Sequence, residues 1–168
     1  MNYFVVVKPI KEYREVKFYS VEVRPRGQEE EPIHTEFEKF MLRFRKHEEE
    51  EVLDEFNDIM ASISHIGNDS SLLRYLRDEQ LAYAFPVGRN SNFGVKMVKA
   101  HSKLRLYCIV YNDFVILCNG GLKTAQAAQN CPNVKPSFDF ANKLFGYCGE
   151  IFDKENIREG EDNGFYIR

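Results

Sequence analysis

Residues 103–121 read KLRLYCIVYNDFVILCNGG, and the fold turns on how this stretch is interpreted. Two runs rich in Val, Ile, Leu, Tyr and Phe flank Asn112-Asp113, a dipeptide suited to a tight turn, so the stretch predicts an antiparallel hairpin. With a two-residue turn, Tyr111 faces Phe114, Ile109 faces Ile116, Tyr107 faces Cys118 and Arg105 faces Gly120. Side chains alternate along a strand, so Leu104, Leu106, Cys108 and Val110 share one face with Val115 and Leu117. That face is the expected core. The opposite face carries Arg105, Tyr107 and Tyr111 and is expected to be open.

Upstream, "LAYAFPVG" reads as a short strand ended by Pro86, and "GRNSNFG" as a loop. Residues 70–80 suggest a short helical turn carrying Arg74 and Arg77. Two amphipathic helices come before it. Thr35 and Glu38 have capping-box spacing, and Phe37, Phe40, Met41 and Phe44 form one apolar stripe behind them. Val52, Leu53, Phe56, Ile59, Met60 and Ile63 keep the helical period for three turns. Glu48 to Glu51 lie at the start of that helix, where its dipole favours negative charge, and Gly67-Asn68 ends it. The N-terminal "YFVVVK", interrupted by Pro9, and the stretch from about 14 to 24 predict a hairpin.

Downstream, Pro132 and Pro136 are read as breaks, with Ser137 capping a last helix that carries Phe138, Ala141, Phe145, Cys148 and Phe152. A loose tail follows, with "FYI" as a candidate strand. The expected class is α+β, an antiparallel sheet against two consecutive helices. The expected organisation is one domain: a hairpin and linker over 1–32, a core over 33–152 and a tail over 153–168.

Composition narrows the function classes. The chain has 168 residues, 43% of them hydrophobic and 29% charged, which suits a folded domain rather than a disordered chain. Its longest apolar runs are strand-sized, so no helical membrane span is expected, and no signal-peptide layout is evident. The cytoplasm is the expected location. The net charge of −3 hides a sorting. Residues 29–58 hold 12 acids and four bases, while residues 89–143 hold eight bases and two acids. Cys108, Cys118, Cys131 and Cys148 have neither zinc-knuckle nor C-x-x-C spacing, and the four histidines share no ligand spacing. No metal or cofactor is expected.

The remaining chemistry is a set of bases and aromatics on and beside the hairpin. Lys99, His101, Lys103, Arg105, Tyr107, Tyr111 and Lys123 suit a phosphodiester chain, with Arg89 and Lys96 as further candidate contacts from the preceding loop. Cations meet the phosphates and tyrosines stack on unpaired bases. The set also suits RNA cleavage, which needs a base for the 2′-hydroxyl proton, cations for the crowded phosphorane and an acid for the leaving oxygen. Lysine or tyrosine serves as the base only if neighbouring cations lower its pKa. His101 is the most easily titrated partner.

"LRLYCIVYNDFVILCNGGLKTAQ", with two helices before it and "FANKLF" after, resembles the RelE/ParE toxin superfamily, most closely its HigB-like, phage-derived branch. In that pattern the arginine falls on Arg105, the aromatic on Tyr107, the lysine after the glycine turn on Lys123, and a final-helix alanine on Ala141. The resemblance is closest over 103–125. It implies a small α+β toxin fold and an endoribonuclease that cuts messenger RNA on the ribosome without a metal, neutralised by a cognate antitoxin protein. It also implies roles for Arg105, Lys123 and Tyr107, which together with His101 from the reading of the residues make up the candidate catalytic set. The chain departs from the pattern in its acidity, in roughly 50 extra residues, and in a single lysine before Thr124 where the branch has two. Two other readings stay open: a non-catalytic module binding protein or nucleic acid, and an accessory protein whose bases are plain surface. Oligomeric state is not legible.

Overall fold

The hairpin over 103–121 forms the middle of a mixed sheet in the computed structural model, which describes residues 3–25, 27, 33–87, 103–112, 114–152 and 163–167. The strands are β1 (Tyr3–Glu12), β2 (Lys17–Pro25), β3 (Arg77–Glu79), β4 (Ala82–Phe85), β5 (Leu104–Tyr111), β6 (Phe114–Leu122) and β7 (Asn163–Ile167). The helices are α1 (Glu36–Phe44), α2 (Glu50–Asn68) and α3 (Lys135–Phe152). Strand order is β3-β4-β5-β6-β2-β1-β7, antiparallel throughout except where β2 runs parallel to β6. The protein is α+β, as its sequence pattern predicts.

One face of the sheet packs on α1 and α2. Phe37, Phe40, Phe44, Val52, Phe56, Ile59 and Ile63 from the helices meet Leu104, Leu106, Cys108, Val115 and Leu117 from the strands, all buried. The capping box at Thr35 and Glu38 forms in both directions, at 3.1 and 2.7 Å. Ser20 ties α1 to the sheet: its hydroxyl donates to the Leu117 carbonyl at 2.6 Å and accepts from the Phe37 amide at 3.1 Å.

The opposite face is not open. Tyr107, Ile109, Ile116 and Cys118 are buried there against Phe138, Ala141, Leu144 and Cys148 of α3. A strand in the middle of a sheet with both faces covered is apolar on both, and β5 and β6 follow that rule.

Three further expectations are corrected, and the candidate strand in the tail forms. The hairpin keeps the pairs Tyr111–Phe114 and Ile109–Ile116, but an irregularity between Leu106 and Cys108 moves Arg105 from Gly120 to Gly121. Residues 77–79 form the edge strand β3, and the 3-10 turn before it ends at Tyr75. Helix α3 begins at Lys135, ahead of Ser137. Pro136 fits its first turn, where no amide donor is needed. The tail contributes β7, paired antiparallel with β1.

Candidate active site

Sheet register brings one set of charged side chains to a single corner. Arg77 pairs with Ala84, and Ala84 pairs with Tyr107, so β3, β4 and β5 form one row there. Arg105 pairs with Gly121, and Lys123 follows two residues later. The Lys123 amide donates to the Lys103 carbonyl at 2.7 Å, extending the ladder past the end of β6. By alternation Arg77, Glu79, Arg105 and Tyr107 lie on the α3 side. Arg77, Arg105 and Lys123 all act electrostatically on the Glu79 carboxylate.

The corner has a floor and a rim. Tyr107 is fully buried and Arg105 is 7% exposed. Phe138 of α3 packs edge-on against Tyr107, with ring centroids 6.0 Å apart. The chain from 124 to 134 closes over Gly121 so tightly that a Cβ there would lie 2.7 Å from the Asn133 carbonyl oxygen. Arg77, Glu79 and Lys123 are only half-buried and Lys103 is exposed, so these four make up the rim.

Neighbouring elements anchor the corner. The Arg77 Nε donates to the Pro86 carbonyl at 2.9 Å. Glu55 of α2, itself buried, accepts from the amides of Lys103 and Leu104 at 3.0 and 2.7 Å. This fixes where β5 begins, one residue before Arg105.

Electrostatics assign different roles to these groups. Burial pushes the Glu79 carboxyl above its ordinary value, and the cations Lys123, Arg105 and Arg77 only partly restrain it. Burial lowers Arg105, against the pull of Tyr107, Glu79 and Glu55, yet a guanidinium stays charged. Burial, and then Glu79, push Tyr107 upwards. Tyr107 therefore stays a neutral hydroxyl, which corrects the expectation that surrounding cations would make it a base. That hydroxyl has no hydrogen-bond partner among the described residues.

Cys131 lies beside the same corner and is electrostatically coupled to Tyr107. Its sulfur accepts from the Thr124 amide at 3.3 Å. Burial pushes this thiol up, but the amides of Thr124, Ala125 and Asn133 and the Thr124 hydroxyl outweigh it, bringing the thiol from the ordinary 9.0 down to about 6.

Of the residues singled out by sequence, Arg105, Lys123 and Tyr107 converge, with Lys103 next to them. The expected open platform is absent from this face, because α3 and the 124–134 segment cover Arg105 and Tyr107. Tyr111 is at the other end of β5, about 20 Å away along the strand, and packs at the hairpin tip with Phe114. His101, Lys99, Lys96 and Arg89 lie outside the described residues. Sequence reading missed Glu79, Arg77 and Glu55. The available signal for the first two was the alternation of Arg77 and Glu79 immediately before the apolar run 81–85.

Among the described residues no group of three or more His, Cys, Asp or Glu side chains could hold a metal ion. No helix among them is long and apolar enough to cross a membrane. No family model, curated protein or solved structure matches the chain.

Proposed function

We propose that the chain is a toxin-like endoribonuclease working by acid-base and electrostatic catalysis at the Glu79 corner. The observation that carries this reading is the convergence of Arg77, Arg105 and Lys123 on one desolvated carboxylate. A raised carboxyl pKa brings Glu79 closer to neutrality, which suits a general base. Glu79 takes the proton of the ribose 2′-hydroxyl, and the 2′-oxygen attacks phosphorus. Arg105 and Arg77 balance the charge that grows on the phosphorane. Lys123 donates a proton to the departing 5′-oxygen as the P–O5′ bond breaks. The products are a 2′,3′-cyclic phosphate and a 5′-hydroxyl end. The RNA approaches over Glu79, Lys123 and Lys103, with the Arg105 charge acting from beneath.

Messenger RNA on the ribosome as the target, and neutralisation by a cognate antitoxin, rest on the family resemblance. Induced expression tests the reading: wild-type protein arrests growth with cleavage of translated RNA, and Arg105→Ala relieves the arrest. A harmless wild type that leaves RNA intact contradicts it. The burial of Arg105 and Tyr107 favours a second reading, a module that holds a phosphate chain through Lys103 and Lys123 without cutting it. Its mark is salt-dependent binding with no product.

A further inference from the structure

We propose that Asn142 of α3 is a positioning residue for Glu79, holding the β3–β4 turn so that the carboxylate stays turned into the cationic corner. The inference rests on the assignment of Glu79 given above. The Asn142 Oδ1 accepts from two successive amides, Leu81 at 2.8 Å and Ala82 at 3.0 Å. Its Nδ2 donates to the Phe138 carbonyl at 3.0 Å, one helical turn back. All three contacts agree on which end of the amide is oxygen.

These amides belong to the turn that follows Glu79. Glu79 pairs with Ala82, leaving Gln80 and Leu81 as the connection, and Gln80 has φ 68°. A non-glycine residue in that region needs its surroundings to hold it there. β3 is three residues long and ends the sheet, so its own ladder restrains Glu79 weakly. Asn142 is the side chain that reaches across to this turn. One helical turn before it, Phe138 packs on Tyr107, so the same side of α3 fixes both the buried hydroxyl and the carboxylate. The groups facing Glu79 are Arg77 on its own strand, Arg105 and Tyr107 on β5, and Lys123 beyond β6.

A simple structural clamp would affect stability alone. A positioning residue also changes the proton affinity of Glu79, because a released turn lets water reach the carboxylate. The test is a carbon-detected NMR titration of the Glu79 carboxyl in wild type, Asn142→Ala and Asn142→Asp, with thermal melts as a check on folding. Asn142→Ala is expected to move the Glu79 midpoint down towards the ordinary carboxylate range. Asn142→Asp keeps the acceptor for both amides and adds a nearby negative charge, so its midpoint is expected to rise above wild type. In cleavage assays the alanine variant is expected to lose about tenfold in kcat with KM unchanged, the aspartate variant less. A Glu79 midpoint equal to wild type in either folded variant overturns the proposal. If Asn142→Ala does not fold, Asn142→Ser, which withdraws the acceptor from both amides without adding charge, decides by the same fall in midpoint. An inactive wild type removes the ribonuclease reading, and the carboxyl titration still decides whether Asn142 positions Glu79.

Discussion

The amide of Lys123 donates to the carbonyl of Lys103 at 2.7 Å, so two cations from opposite strands form the last rung beside the Glu79 corner. Lys103 is exposed and Lys123 half-buried, which lets both meet a phosphate chain. Single-stranded RNA binding is expected to weaken with salt at about 0.7 log units per phosphate contact. Replacing both lysines with alanine should therefore reduce the slope of log K against log salt by about 1.4. Titrations at several salt concentrations check this, and an unchanged slope places RNA elsewhere.

Tyr107 offers a cleaner separation of stability from chemistry. Its hydroxyl is buried with no partner among the described residues, so the folded state gains nothing from it. Tyr107→Phe should leave stability unchanged or raise it by up to about 1 kcal/mol in urea unfolding. The same variant should keep the cleavage rate of wild type, because α3 and the 124–134 segment cover this hydroxyl.

Cys131 adds a pH dependence of known sign. Its folded-state thiol titrates at about 6 against an ordinary 9.0, so the folded protein releases this proton first as pH rises. The unfolded chain then binds more protons over that interval, and stability increases with pH. The contribution is complete above about pH 9 and disappears as pH falls through 6. Urea unfolding of wild type between pH 5.5 and 9 should show this rise, and Cys131→Ala should reduce it. Parallel curves for the two proteins would show that the amides of Thr124, Ala125 and Asn133 do not stabilise a thiolate.

Two glycines predict opposite outcomes. A Cβ on Gly120 would lie 1.7 Å from the Arg105 carbonyl oxygen, a backbone atom that cannot swing aside. Gly120→Ala should cost about 3 kcal/mol or more and distort β5 next to the corner. Gly146, exposed on α3, has nothing within 4 Å of its virtual Cβ. Gly146→Ala should stabilise the helix by about 1 kcal/mol. Denaturant melts of the pair test the packing on both sides of the sheet.

Legibility in the sequence followed the range of the interactions. The Thr35–Glu38 capping box and the two helical stripes rest on contacts within a few residues, and they form as the spacing predicts. The hairpin turn and the core face of β5 are equally local. What covers the other face of β5 is not local, since α3 arrives from more than 20 residues downstream. Its trace was present, because Ile109, Ile116 and Cys118 share a face with Tyr107 and would be costly to expose. Glu79 escaped notice because Gln80, rather than glycine or asparagine, takes the left-handed turn position after it. Pro136 was misleading in the other direction: a proline in a first helical turn opens a helix as readily as it breaks one.

The central claim, that Glu79 is the base of a ribonuclease corner built with Arg77, Arg105 and Lys123, is tested most directly on purified protein. Wild type and Glu79→Gln are incubated with single-stranded RNA in EDTA across a pH series, and the ends of the products are analysed. Wild type is expected to leave 2′,3′-cyclic phosphate ends at a rate that rises with pH as Glu79 ionises, and Glu79→Gln to be slower by at least about a hundredfold. Equal cleavage by both proteins, or none by a folded wild type, would contradict it.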